Sequence, residues 1–379
     1  MMASKKTKRR KTSIKQYDIV LITTASLLLI IGFVAVLSAS YPIGVKDFNN
    51  GYYYIRRHAF FMVMGAVLMF ISANLKRDFL KKISPYLFLG SIFFVFLLWT
   101  PLAKTNYGQA RWIKIPGIPF KIQPSDFVKI TSVLYMAKVL DENKNRIASP
   151  DVFIKLIVIM GLSAGPILIK DFSTGVVIIA ELGVMFLVGG MYFYQFVVLG
   201  GMGLAAAAAL VLGVKYRRER VLSYFKGEHR KTNDELYQIT QSLYAIAMGG
   251  FGGVGLFHSR QKYTNLPFAY NDFIFAIICE EFGAFGGIVL VILFAVFTFE
   301  GYLIASRAKD RFDKLVAVGL TTFIAIQAAF NIGVSIKLFP VTGITLPFIS
   351  YGGTALLVSM TAVGLLLRIS KKKVKEQGE

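Results

Sequence analysis

Residues 260–279 read Arg-Gln-Lys-Tyr-Thr-Asn-Leu-Pro-Phe-Ala-Tyr-Asn-Asp-Phe-Ile-Phe-Ala-Ile-Ile-Cys. A polar, basic segment that contains a proline ends in the carboxylate of Asp272, and an apolar run begins at the next residue. A charged side chain at the point where a loop enters a bilayer is costly unless it has a partner or a function. We therefore predict that Asp272 is the reactive group of the protein.

The rest of the chain consists largely of similar apolar runs. Hydrophobic residues make up 55% of the 379 residues, and the mean hydropathy is +0.59. Runs of roughly 18 to 23 apolar residues match the ~30 Å hydrocarbon core of a bilayer. Lipid offers no hydrogen-bond partner to the backbone, so spanning segments are helices or closed barrels. Because these runs are too long for barrel strands, the sequence predicts an all-α polytopic membrane protein.

The apolar runs predict ten transmembrane helices, with both termini on one side. Lys and Arg collect in the segments that this arrangement places in the cytoplasm, as the positive-inside rule requires. The predicted spans lie near residues 18–40, 57–75, 84–100, 123–140, 152–169, 172–190, 192–213, 272–300, 312–336 and 346–368. The predicted parts are a basic cytoplasmic tail (1–17), spans one to seven (18–213), a large extracellular loop (214–271), spans eight to ten (272–368) and a second cytoplasmic tail (369–379).

Two loops on the predicted outer side are basic, although the positive-inside rule concerns only the cytoplasmic segments. Arg111 lies in the 101–122 loop, and the 214–271 loop contains Arg217, Arg218, Arg220 and Lys262. An anionic ligand such as a phosphate or pyrophosphate would explain these charges. A basic surface that contacts water or lipid headgroups would explain them equally well.

Several charged residues fall within or beside predicted spans. Asp126 and Lys129 are three residues apart on one helix face, and Lys129 is the expected partner that keeps Asp272 ionised. Glu280 and Glu281 lie roughly 12 Å along the same predicted helix from Asp272. Each of these charges has a second interpretation, as part of a buried ion pair that fixes helix packing. Cys279 is the only cysteine and the three histidines lie far apart in sequence, so we predict no residue-built metal site.

A series of motifs runs through the chain in a fixed order. They are Arg111-Trp112-Ile113, Gln123-Pro-Ser-Asp126, Tyr237-Gln with Gln241-Ser-Leu, Ser259-Arg-Gln-Lys262, Asp272-Phe-Ile-Phe-Ala276 with Glu280-Glu281, and Leu346-Pro-Phe-Ile-Ser-Tyr-Gly-Gly353. Over nearly the whole chain these motifs resemble the SEDS family, named for shape, elongation, division and sporulation. Phe268, Tyr270 and Asn271 stand where the family usually has Glu, His and Thr, and Asp126 replaces a Glu. The segment 341–347 favours the division and sporulation branch.

The resemblance implies a peptidoglycan glycosyltransferase that polymerises lipid II into glycan strands on the outer face of the bacterial cytoplasmic membrane. The implied partners are lipid II and undecaprenyl-linked glycan, a class B penicillin-binding protein and membrane lipids, with no nucleic acid. Asp272 occupies the family's essential aspartate position and is the predicted general base, and a divalent cation (Mg or Mn) is implied as an assistant. The predicted substrate-binding residues are Lys129, Arg111, Trp112, Arg217, Arg218, Arg220, Gln241, Ser242, Lys262, Glu280 and Ser350.

Two other functions remain open from the sequence. A flippase for a lipid-linked precursor needs a polar path across the whole bilayer, for which Glu181 and Glu280 are candidates. A non-catalytic scaffold for a transpeptidase would tolerate replacement of Asp272. A polar groove confined to the outer side favours the polymerase.

Overall fold

The computed structural model describes residues 15–106, 109–114, 117, 120–147, 149–213, 218, 234–264 and 266–373. Its helices are α1 (Ile19–Phe48), α2 (Tyr53–Asn74), α3 (Arg77–Phe96), α4 (Pro124–Glu142), α5 (Pro150–Lys170), α6 (Phe172–Val188), α7 (Phe193–Leu212), α8 (Asp234–Gly249), α9 (Gln261–Thr264), α10 (Ile274–Arg307), α11 (Arg311–Ser335) and α12 (Gly353–Ser370). A 3₁₀ turn, Leu97–Trp99, follows α3. The strands are β1 (Lys15–Gln16), β2 (Ala103–Asn106), β3 (Gln109–Ile113) and β4 (Lys372–Lys373).

The architecture is that of a helical membrane protein. Within the described ranges, seven helices are long and apolar enough to cross a bilayer, namely α1, α2, α3 with its 3₁₀ turn, α5, α10, α11 and α12. The apolar helix α6 has 17 residues and is shorter. Helices α4, α6 and α7 occupy the other three predicted spans, and ten crossings remain a prediction. Of the predicted large loop, residues 218, 234–264 and 266–271 are described, and they include α8, α9 and the turns around them.

The two ends of the described chain meet. Strands β1 and β4 pair antiparallel, with Lys15 opposite Lys373. The side chain of Asp18 caps α1 by accepting from the Leu21 backbone N–H at 3.1 Å, and its own N–H donates to the Ser370 hydroxyl at 3.3 Å. The start of α1 and the end of α12 therefore lie at one face, which we call the terminal face. An even number of crossings predicts such an arrangement.

An ion pair between α12 and α11 shows at which face each end of α10 lies. Arg368 near the end of α12 pairs with Asp313 in the first turn of α11 at 2.6 Å. Helix α10 ends only a few residues before α11 begins, so the C-terminus of α10 lies at the terminal face. Asp272, which directly precedes α10, therefore lies at the far end, which we call the opposite face.

A backbone interruption divides α10 into two parts. Gly283 has φ 70° and ψ −172° inside this 34-residue helix, which breaks the helical hydrogen-bond ladder. The glycine-rich segment 249–255 fills the gap, because the N–H groups of Val254 and Gly255 donate to the carbonyls of Glu280 and Glu281 at 2.9 and 3.0 Å. In return, the Ala284 N–H donates to the carbonyl of residue 250 at 2.9 Å. This contact explains the run of glycines as a requirement for close backbone approach.

The predicted start of the eighth span needs correction. Asp272 lies in a turn, where its N–H donates to the Phe268 carbonyl at 3.1 Å, and α10 begins only at Ile274. Phe268 itself has φ +57°, a backbone conformation that apolar residues rarely adopt. Asp272 is therefore carried by a constrained turn and not by the helix.

We expect Gly253→Ala to destabilise the protein. Gly253 has φ +81°, and a Cβ there would collide with the Glu281 carbonyl oxygen. A strained backbone of this kind costs roughly 1–3 kcal/mol before the collision is counted. The apparent Tm in detergent measures the loss. Gly252→Ala is the matched control, since a Cβ at Gly252 meets nothing within 4 Å, and equal Tm values for the two variants would contradict this account of the kink.

Candidate active site

The turn that carries Asp272 is fixed through its backbone. The Asp272 carbonyl accepts from the Asn331 side-chain amide at 2.9 Å, and the same amide donates to the Ile344 carbonyl at 2.7 Å. The neighbouring Asn271 carbonyl accepts from the Ser350 hydroxyl at 2.5 Å. Helix α11 and the segment before α12 thus hold the turn from two sides. Ser350, predicted to bind substrate, is buried in this structure and positions the turn.

The Asp272 carboxylate is left available. Its side chain is partly exposed, and no hydrogen bond from a described residue reaches its oxygens. Asp272 precedes the candidate span, and burial raises the pKa of its carboxyl to about 6. Arg111 opposes that rise, and the negative charge of Asp171 adds to it. A carboxylate with a pKa near neutrality can accept a proton in the physiological range.

Arg111 supplies the positive charge beside this carboxylate. It lies on β3, and its guanidinium donates to the carbonyls of Thr342 and Gly343 at 3.0 and 3.2 Å. It also pairs with Asp171 at 3.2 Å. Gly343 has φ +68°, and a Cβ there would collide with the guanidinium. Arg111 therefore joins the β2–β3 hairpin, the start of α6 and the segment before α12, and it is held in place with little freedom.

Lys129 has other partners than the sequence suggested. Its ammonium donates to Asp126 and to the Gln327 side-chain carbonyl, both at 2.9 Å. The second Asp126 oxygen accepts from the Thr354 hydroxyl at 2.7 Å. The prediction that Lys129 pairs with Asp272 is wrong, because helix spacing alone could not show which helices α4 would meet. A contact between Lys129 and substrate remains a prediction.

Lys262 is engaged inside the protein. Its ammonium pairs with Glu281 at 2.7 Å and donates to the Ser38 hydroxyl at 2.8 Å. That hydroxyl in turn donates to Glu281 at 2.5 Å. Lys262 and Glu281 are each only a few per cent exposed. In this structure Lys262 joins the segment before α10 to α1, and its proposed contact with substrate would require it to leave this ion pair.

Glu280 is also satisfied internally. Its two carboxylate oxygens accept from the Ser259 hydroxyl at 2.5 Å and from the Arg260 backbone N–H at 2.8 Å. Ser242 donates to the Ser335 carbonyl at 2.8 Å and joins α8 to α11. These buried side chains hold the segments around Asp272 in place, and their direct contact with substrate remains untested.

The other predicted binding residues are placed as follows. Gln241 and Trp112 are partly exposed, and the described Arg218 is exposed. Arg217 and Arg220 lie outside the described residues. Sequence reasoning missed Asn331, although an amide side chain inside the apolar run of α11 was an available signal.

The residues do not form a preassembled metal site. Across the described ranges, no group of three or more His, Cys, Asp or Glu side chains converges as a metal ion would need. Asp171, whose charge acts on Asp272, is occupied by Arg111 and by the Thr174 hydroxyl at 2.7 Å. A divalent cation therefore remains a prediction.

Comparison with known proteins supplies the family. The family model for FtsW, RodA and SpoVE, described as cell cycle proteins, matches residues 18–375. The chain belongs to this family. Stage V sporulation protein E of Bacillus subtilis is 38% identical over 361 residues, covering 93% of this chain and 97% of the relative. A Trichlorobacter lovleyi relative named "Probable peptidoglycan glycosyltransferase FtsW" is 33% identical over 365 residues, covering 96% and 95%. These relatives agree with the predicted division and sporulation branch.

Solved structures share the fold. A chain from the structure described as "Structural coordination of polymerization and crosslinking by a peptidoglycan synthase complex" has a TM-score of 0.77 at 24% identity, covering 93% of this chain and 97% of that chain. The rod shape determining protein RodA of Thermus thermophilus has a TM-score of 0.69 at 23% identity, covering 93% and 96%. The helical arrangement described above is therefore that of the SEDS fold.

The Lys262–Glu281 pair gives a stability prediction. Lys262→Met leaves a buried carboxylate without its cation, and we expect a loss of about 3–5 kcal/mol. Lys262→Met combined with Glu281→Gln should recover much of that loss, which a thermal-unfolding double-mutant cycle measures. The exposed pair Arg146–Asp151 is the control, since its removal should change stability by less than about 1 kcal/mol. A Lys262→Met protein as stable as wild type would contradict the structural role.

Proposed function

We propose that this protein is a peptidoglycan glycosyltransferase that polymerises lipid II at the outer face of the cytoplasmic membrane, with Asp272 as general base. Family membership and the names of relatives support the reaction class. The observation that carries the role of Asp272 is its contrast with four carboxylates that are fully buried. Asp126, Asp171, Glu280 and Glu281 accept hydrogen bonds, whereas no described residue donates one to the Asp272 side chain.

The proposed chemistry requires one proton acceptor. Asp272 accepts the proton from the 4-hydroxyl of N-acetylglucosamine on the acceptor lipid II. The hydroxyl oxygen attacks the anomeric carbon of the donor strand, and the bond to undecaprenyl pyrophosphate breaks. A pyrophosphate leaves without needing a strong acid, unlike the leaving group of a glycosidase, which a second carboxyl group protonates. One carboxylate therefore suffices on the protein side.

Arg111 tunes the base in this proposal. A fixed positive charge stabilises the ionised form of a nearby carboxylate, and the guanidinium of Arg111 is fixed by two carbonyls and by Asp171. Its charge also opposes the negative charge that develops on the leaving group. Arg218, which is exposed, and the basic residues of the 214–271 segment would attract the pyrophosphate.

The membrane arrangement completes the proposal. The terminal face is cytoplasmic, in line with its Lys and Arg residues, and the opposite face with Asp272 is outside. Ten crossings, a class B penicillin-binding transpeptidase as partner, and assistance from Mg or Mn belong to this proposal as well. Of the two acids named for a flippase, Glu280 accepts from Ser259 and Arg260, and Glu181 accepts from the Ser132 hydroxyl at 3.4 Å. Both are fully buried, and neither is exposed along a path through the bilayer.

We expect Asp272→Asn to lower polymerisation by at least 10²-fold without loss of protein, because general-base catalysis contributes typically 10²–10⁴-fold. Formation of glycan from labelled lipid II measures the rate, with purified protein alone and with its transpeptidase. Asp78→Asn is the control, since Asp78 is an exposed acid near the terminal face. A folded Asp272→Asn protein with near wild-type rate would refute the base and favour a scaffold. No polymer from wild type in either condition would direct attention to flipping, measured in vesicles.

The pH dependence of the reaction gives a second test. A base must be deprotonated to act, so the rate should fall about tenfold per pH unit below the pKa of about 6 and level off above it. Arg111 lowers the pKa of Asp272, so Arg111→Gln should move the acidic limb to higher pH. The exposed Arg56 provides the control as Arg56→Gln. An acidic limb that stays in place in Arg111→Gln would show that Arg111 does not tune the base.

A further inference from the structure

Three tyrosines from three separate segments meet beside the base. Tyr54 comes from the first turn of α2, Tyr270 from the turn before α10, and Tyr351 from the segment before α12. Their ring centroids lie 4.7 Å apart for Tyr54–Tyr270, 5.3 Å for Tyr54–Tyr351 and 5.7 Å for Tyr270–Tyr351. We call these three residues the tyrosine cluster. Each of the three side chains remains partly exposed.

The tyrosine cluster is joined through backbone hydrogen bonds to the turn that carries Asp272. The Tyr351 N–H donates to the Tyr270 carbonyl at 2.9 Å, next to the bond from the Ser350 hydroxyl to the Asn271 carbonyl. Tyr270 lies only two residues before Asp272 in the same turn. A ligand that binds to the cluster would therefore have a fixed position relative to the Asp272 carboxylate.

The cluster combines flat apolar faces with polar groups. The three phenol hydroxyls are the polar groups, and the rings of Tyr54 and Tyr270 lie closest together, with centroids 4.7 Å apart. The Arg57 guanidinium lies 4.4 Å from the centre of the Tyr53 ring, and its charge acts on Tyr351. Aromatic rings give a binding site rigid apolar area, while hydroxyls and a cation fix orientation. A pyranose ring has the complementary character, with an apolar C–H face and a rim of hydroxyl groups.

A membrane-interface belt does not explain these three residues. Belt aromatics lie at the headgroup level with their rings exposed. Tyr41 and Tyr52 at the same end of α1 and α2 fit that description, being 41% and 53% exposed. The tyrosine cluster instead packs between a helix and two loops at the candidate active site.

We propose that Tyr54, Tyr270 and Tyr351, with Arg57 at their edge, form the subsite that binds the acceptor hexose. A general base must be within hydrogen-bond reach of the hydroxyl that it deprotonates, so the acceptor sugar occupies the space beside Asp272, where the cluster lies. The inference rests on the proposed function and extends it by assigning the residues that recognise the acceptor. Tyr270, which stands where the family usually has His, makes this subsite partly a property of this chain.

Binding measured without turnover tests the subsite directly. The probe is the disaccharide-peptide headgroup of lipid II without its lipid and pyrophosphate, and saturation-transfer NMR detects its binding to the full-length Asp272→Asn protein in detergent. We expect binding to Asp272→Asn, and at least tenfold weaker binding when Tyr351→Leu or Tyr54→Leu is added. Tyr54→Phe, which keeps the ring, and Tyr52→Leu, which removes an exposed belt ring, should each stay within threefold. Absence of binding to Asp272→Asn, or equal binding with and without the cluster rings, would overturn the proposal.

Kinetics separates recognition from support of the turn. In the wild-type background, Tyr351→Leu should raise KM for lipid II at least tenfold and change kcat less than threefold. A fall in kcat at constant KM would mean that the cluster only supports the Asp272 turn, and the subsite would be rejected. Tyr351→Trp, which keeps an aromatic face, decides the matter if the Leu variant is unfolded, since it should retain a KM near wild type. Failure of wild type to polymerise would refute the proposed function, while the headgroup measurement would still decide the subsite.

Discussion

A hydrocarbon environment has no water to solvate a charge, and this constraint organises the polar interior of the molecule. Lys129 is neutralised by Asp126, Lys262 by Glu281, and Arg111 by Asp171. Each pair draws in hydrogen-bonding neighbours such as Gln327 and Ser38, because a buried pair needs its remaining polar groups satisfied. These networks link different helices, and so they also fix how the helices pack.

Asp272 differs from these paired charges, because no described residue donates a hydrogen bond to its carboxylate. Its backbone is fixed by Asn331 and the adjoining residue by Ser350, while its carboxylate accepts no hydrogen bond from a described residue and is influenced by the charge of Arg111. Satisfying the backbone and not the side chain gives a group that is placed accurately and still reactive, as a preorganised base requires. Because the three cations named above are each paired with a carboxylate, a carboxylate to which no described residue donates a hydrogen bond is a candidate functional group.

The interruption of α10 at Gly283 also helps to hold the segments around Asp272 in place. Gly283 exposes backbone groups that the 249–255 segment satisfies, and Glu280 then caps the residues that follow that segment. Helix α8, the glycine run and α9 are thereby attached to the helix that follows the base. Helix α10 is therefore both a membrane helix and the support for these three segments.

The sequence by itself determined the fold class and the family, and it predicts Asp272 as the reactive acid. Apolar runs matched to bilayer thickness can form little other than helices, and the motif around Asp272 is local in the chain. Only the tertiary structure decided the partners of each charge. Lys129 was assigned to Asp272 because both lie near span ends, but the pairing depends on which helices are neighbours, and α4 meets Gln327 of α11 and Thr354 of α12. The tyrosine cluster likewise joins residues more than 200 positions apart, since such contacts arise from packing and leave no periodic signal in the sequence.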